Sequence, residues 1–149
     1  FYKMLLLLIH LLSCAIMVGL IWTVQLLNYP MFAKIKESDF QVFHAWHSKV
    51  ITFIVGPIML TEVFTGAWLL IENPGNIWLL TNLGGLILIW CATAFLSIPE
   101  HNRLSKARNL ETISKLVNGN WARTILWTAR LIGLTIYFIL QFGYLNLIK

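Results

Sequence analysis

Charge is what this sequence has least of. Only 11% of its 149 residues are Asp, Glu, Lys or Arg, and six of them are acidic, where a soluble domain carries about 25% charged residues. With 58% hydrophobic residues, a chain of this size cannot hide its apolar surface from water. That excludes a soluble globular fold and makes lipid the solvent. Cysteine is scarce as well: Cys14 and Cys91 both lie inside apolar runs, which reads as two small core residues and excludes a disulfide framework. The excess of positive charge is small, +5, and is read as membrane orientation, with no nucleic-acid partner expected.

What remains is four long apolar runs. A helix crossing the hydrocarbon needs about 20 residues, so four crossings with short links use up the chain as one transmembrane domain. The spacing predicts an all-α integral membrane four-helix bundle, with helices at about 3–28, 39–71, 78–98 and 121–147. The first run, Met4 to Leu27, is too long for a signal-peptide core, and no small-residue cleavage site follows it; it is expected to be a retained helix. Pro30 and Pro99 are expected to end the first and third helices. Ser38-Asp39-Phe40-Gln41 reads as a capping box opening the second, and Glu72-Asn73-Pro74-Gly75-Asn76 as a tight turn closing it. Trp46, Trp78 and Trp121 sit where interfacial aromatic belts belong.

Between the third and fourth helices, Leu104, Ala107, Leu110, Ile113 and Leu116 recur at helical spacing among basic residues. This predicts a short amphipathic helix over 103–117 lying on the membrane surface and touching anionic phospholipids. Lys34, Lys36, Lys49, Arg103, Lys106, Arg108, Lys115 and Arg123 belong to the 1–2 and 3–4 connections and their flanks, whereas the 2–3 turn has no basic residue. The positive-inside rule then puts both termini outside and both long connections in the cytoplasm of a bacterial inner membrane. A faint internal repeat accompanies this pattern: each half runs apolar helix, proline, polar link, then Trp with basic residues.

Ionisable side chains inside membrane helices are costly and mark function by default. At 100° per residue, His44, His47, Ser48, Thr61, Glu62 and Thr65 share about a third of the second helix's circumference, so that stripe faces the bundle interior. Depth separates the polar residues into two groups, because a rise of 1.5 Å per residue puts Glu62 about 22 Å from His47. One group holds His10, Glu62, Asn82 and Tyr137. Glu62 is expected to find a hydrogen-bonding partner there, with Arg130 and His10 as candidates, and an amide at position 62 to be tolerated. The other group gathers at the basic end: Gln25, Asn28, His44, His47, Glu100, His101, Asn102, Arg103, Asn120 and Arg123. His44 and His47 are i,i+3 on one face, and with Glu100 and His101 they form a candidate ligand set for a transition metal. The bland alternative is a set of interfacial residues hydrogen-bonding loops and headgroups. Neutral imidazole binds metal or accepts a proton, so His44 and His47 are also candidate catalytic bases. Arg103 and Arg123 would orient an anionic substrate.

Two resemblances follow from these residues. Ser97-Ile98-Pro99-Glu100-His101-Asn102-Arg103-Leu104, with Asn120-Trp121-Ala122-Arg123-Thr124, resembles the anthrone-oxygenase-like family of small four-helix membrane proteins. Asn102, Arg103, Arg123 and Thr124 match that family's pattern by position, and Glu100-His101 departs from it. The resemblance implies oxidoreductase chemistry on a membrane-soluble aromatic or quinone-like molecule. The first half, His10 to Gly19 and Gly56-Pro57-Ile58-Met59 to Gly66-Ala67-Trp68-Leu69, is similar to bacterial four-helix haem-binding protoporphyrinogen oxidases, which implies His10 as a haem ligand. The competing reading is non-catalytic: an accessory or scaffold subunit of a larger membrane complex, or a homo-oligomer, docked through the aromatic surface that seven Trp and nine Phe supply.

Overall fold

The computed structural model describes residues 1–143; the expected end of the last helix at 147 lies outside them. Four helices are long and apolar enough to cross a membrane: α1 (Tyr2–Phe32), α2 (Glu37–Glu72), α3 (Ile77–Leu104) and α4 (Leu110–Phe142). They form an all-α bundle with short links. The 33–36 and 105–109 links lie at one end, here the basic end. The N-terminus and the 73–76 turn lie at the other.

The two prolines do not stop their helices. A proline lacks the N–H that would bond four residues back, and its ring crowds that carbonyl. Here a π turn just upstream takes up the misfit. Val24–Asn28 is π-helical and Pro30 follows two residues later; Thr93–Ser97 is π-helical and Pro99 follows two residues later. α1 therefore runs past its expected end to Phe32, and α3 runs to Leu104. The matched breaks show that the internal repeat has a structural counterpart.

The surface helix expected over 103–117 is absent as a separate element. Residues up to Leu104 complete α3, a turn follows, and Leu110 begins α4, which continues without interruption to Phe142. The apolar period was real but its partner differs: Leu104, Ile113 and Leu116 bury against Val24, Tyr29, Phe32 and Phe40 and do not face lipid. Asn109 caps α4 by accepting from the Thr112 N–H at 2.9 Å. The capping box at Ser38 does not form either. α2 begins at Glu37, and Ser38 donates to the Asp39 carboxylate. Glu37 and Asp39 still place negative charge on the positive end of the helix dipole. Gly75, with φ of 85°, supplies the left-handed residue that lets the α2–α3 turn close. Asn76 then caps α3 by accepting from the N–H groups of Trp78 and Leu79.

α1 packs along both α2 and α4, and α3 packs along α4; α2 and α3 meet more sparsely. Large side chains such as Phe53, Phe64, Ile71 and Phe95 are exposed on the outer surface, where apolar helices contact the bilayer. Cys14 is buried and Cys91 exposed, and both are free thiols.

Candidate functional site

Two buried polar networks sit at different depths, as the rise along α2 requires. The one nearer the N-terminus and the 73–76 turn is held by an ion pair. Arg130 donates from Nη1 to Glu62 Oε1 at 2.8 Å, with the two side chains 3% and 0% exposed. Trp127 donates its indole N–H to Glu62 Oε2 at 3.0 Å, so both carboxylate oxygens have a donor. Arg130 also donates to the backbone oxygen and to Oδ1 of Asn82.

His10 completes this network. Its Nε2 is 3.1 Å from Asn82 Oδ1 and its Nδ1 is 2.7 Å from Thr65 Oγ1. Asn82 Oδ1 already accepts from Arg130, so it is an oxygen, and His10 must carry its proton on Nε2. Nδ1 lies against the Thr65 hydroxyl, which is also 2.6 Å from the Thr61 carbonyl oxygen. Both ring nitrogens have protein partners, which leaves none for the iron of the expected haem in this arrangement. His10 serves as a cross-brace between α1, α2 and α3. Tyr137 stands apart and accepts from Asn76 at 3.1 Å.

The network at the basic end is built around Phe32, fully buried and edge-on to three imidazoles: His47 at 5.1 Å, His44 at 5.5 Å and His101 at 6.4 Å between centroids. His44 stacks on Phe40 and His47 on Phe43. His44 Nε2 lies 3.0 Å from His101 Nδ1, and His101 Nε2 lies 3.1 Å from the Tyr29 hydroxyl. This chain is consistent in either polarity: Tyr29 can donate to His101 and His101 to His44, or each proton can sit one step back. A hydrogen-bonded chain with two such states can move a proton along its length.

Arg123 is the other half of the site. It is 7% exposed, donates to Ser97 Oγ at 3.0 Å and Asn120 Oδ1 at 3.2 Å, and lies over the Trp127 ring at 5.5 Å. Its buried Nε has no partner, and among the described residues no carboxylate pairs with it. Gln25, in the π turn of α1, accepts from Asn120 at 2.8 Å and fixes that amide. Arg123, Tyr29, His101 and Ser97 line a cavity of about 260 Å³, whose apolar side is lined by Met59 and Trp90. A shallower recess of about 170 Å³, lined by Ser48, Thr52 and Asn102, reaches His101 from the outside. Both π turns open onto the cavity, through Val24 on one side and Thr93 and Ser97 on the other.

The residues expected to share a metal ion do not converge as one ligand set. Glu100 turns to Arg103 at 2.7 Å, His47 leaves its buried Nε2 without a partner, and among the described residues no three His, Cys, Asp or Glu side chains are placed to hold an ion. Arg103 is 61% exposed in that surface pair and does not line the cavity beside Arg123. The structure thus brings together His44, His101 and Arg123, and leaves Arg103, Glu100 and His10 elsewhere. Tyr29 was not a candidate. Its position one residue before Pro30 made it read as part of a helix end, whereas the continuing helix carries it into the site. Comparison with family models, with curated proteins and with solved structures finds no match to this chain.

Proposed function

We propose that this chain is a multi-pass inner-membrane protein, basic end in the cytoplasm, that binds a membrane-soluble aromatic or quinone-like molecule and takes a proton from its ring hydroxyl. Arg123 carries the reading: a buried guanidinium without a carboxylate, lining a cavity that also holds Tyr29 and His101. A buried cation with no counter-charge is costly, and a ligand oxyanion in this cavity offsets that cost. The volume, near the low end for small-molecule sites, suits one or two fused rings. Tyr29 and His101 pass the hydroxyl proton towards His44, and the guanidinium stabilises the negative oxygen left behind. Deprotonation is the part of a phenol or quinol oxidation that these side chains carry. A place in the anthrone-oxygenase-like family belongs to the same proposal, supported by the run around Ser97 and the Arg123-Thr124 pair.

The test is equilibrium binding of a short-chain hydroxynaphthoquinone to the purified protein in lipid nanodiscs. Saturable binding is expected, and Arg123→Gln is expected to weaken it about tenfold or more, because hydrogen bonds to charged groups contribute about 1.5–3 kcal/mol. His44→Ala, which touches only the far end of the relay, is expected to leave affinity nearly unchanged while slowing the proton release that accompanies binding. Absence of saturable binding, or binding indifferent to Arg123, returns the chain to the accessory-subunit reading. Orientation is tested separately: reporter fusions at Lys36 and Asn109 are expected in the cytoplasm and one at Gly75 outside. The reverse pattern would move the site to the other side of the membrane.

A further inference from the structure

We propose that the ligand is tailed: a ring headgroup carrying a long isoprenoid or alkyl chain, with the chain lying in a groove between α2 and α3. The proposal rests on the headgroup reading above. A groove of about 500 Å³ runs beside the cavity and is lined by apolar side chains and Cys91, with no polar surface. Trp90 lines both, so the two spaces share a wall and adjoin at that residue. Polar partners lie only on the cavity side, at Arg123, His101, Tyr29 and Ser97. Past Trp90 the lining changes to Leu60, Leu83, Leu86 and Phe95, with the small Ala94 between them. That division, a cation and proton acceptors at one end and a purely apolar trough at the other, matches a molecule with an acidic ring and a hydrocarbon tail.

Helix packing supports the same occupant. α2 and α3 are the sparsely packed neighbours of the bundle, and Gly56 on the α2 wall of the cavity has open space around it. A compact ring alone would leave the groove to bilayer chains. A tethered chain fills it and adds burial of about 0.8 kcal/mol per methylene, which a ring held by one guanidinium lacks.

Cys91 makes the groove measurable, because it is exposed there while Cys14 is buried. The protein in nanodiscs is labelled with a membrane-permeant maleimide, and the rate at Cys91 is followed with three additions: a polyprenylated hydroxynaphthoquinone, the same ring without a tail, and a polyprenyl alcohol without a ring. At ten times its dissociation constant, the tailed compound is expected to slow labelling about tenfold. The bare ring is expected to bind without slowing it, the alcohol to do neither, and Arg123→Gln to cut the protection by the tailed compound to about twofold or less. A tailed compound that binds as the ring does yet leaves Cys91 equally reactive overturns the tail groove and spares the headgroup site. Equal protection by the alcohol, unaffected by Arg123→Gln, overturns it too, since the groove would then hold ordinary bilayer chains. Failure of both ring compounds to bind overturns both readings.

Discussion

Glu62→Leu is expected to cost about 3–5 kcal/mol of stability, the cost of removing one partner of a buried ion pair. It leaves the Arg130 guanidinium, 3% exposed, without its counter-charge, and leaves the Trp127 indole N–H without an acceptor. The measurement is reversible unfolding in mixed micelles. Glu62→Gln, which the sequence alone suggests should be tolerated, is expected to be costly as well. The two carboxylate oxygens accept from two different donors, and an amide offers only one oxygen, so its NH₂ would meet a second donor head-on. The double variant Glu62→Leu with Arg130→Met removes both charges and is expected to recover much of the loss, because apolar replacements of buried pairs are often neutral. Equal destabilisation by the double variant and by Glu62→Leu would show that Arg130 is held by Asn82 alone.

Gly66→Ala is the second large effect, and here helix propensity gives the wrong sign. Alanine in place of glycine within a helix gains about 1 kcal/mol from backbone terms alone. At Gly66 the added methyl would sit 3.0 Å from His10 Cε1, and that ring is pinned through both nitrogens by Thr65 and Asn82. The ring cannot give way without losing a bond, so a net cost of about 1–3 kcal/mol is expected from overpacking. Gly19→Ala and Gly133→Ala, where nothing lies within 4 Å of the new methyl, are the controls and are expected to be neutral or slightly stabilising. A stabilising Gly66→Ala would mean that His10 is not the fixed brace described above.

Much of this architecture was legible from residue chemistry. The deficit of charge required lipid, the apolar runs counted the helices, and the period of 3.6 put Glu62, His44 and His47 on one inward stripe. The partner of Glu62 followed because a buried carboxylate needs a cation, and Arg130 was one of few at that depth. Other features were not legible because they depend on what a residue meets in the fold. Pro30 and Pro99 read as helix ends, since the sequence shows the lost donor but not the π turn that absorbs it. Leu104, Ile113 and Leu116 read as a membrane-surface stripe because an apolar period does not say whether lipid or protein covers it. Tyr29 and Trp127 were missed as hydrogen-bonding partners because aromatic residues are common in any membrane helix. The metal set failed on pairing: Glu100 shares a level with the histidines, yet its Oε1 is taken by Arg103 and its buried Oε2 has no partner.

The sparse seam between α2 and α3 also determines how affinity for this site must be expressed. Under the tail-groove proposal the groove, lined by apolar side chains, faces the hydrocarbon, so the ligand would be drawn from molecules already dissolved in the bilayer. Occupancy then follows the ligand's mole fraction in the lipid, and the aqueous concentration acts only through the partition coefficient. Two compounds with the same ring and different tails would show aqueous affinities that differ by their partitioning even if their contacts with the protein were equal. Diluting the protein with extra lipid at constant total ligand would lower occupancy, an effect that a site fed from water by a poorly partitioning ligand would not show.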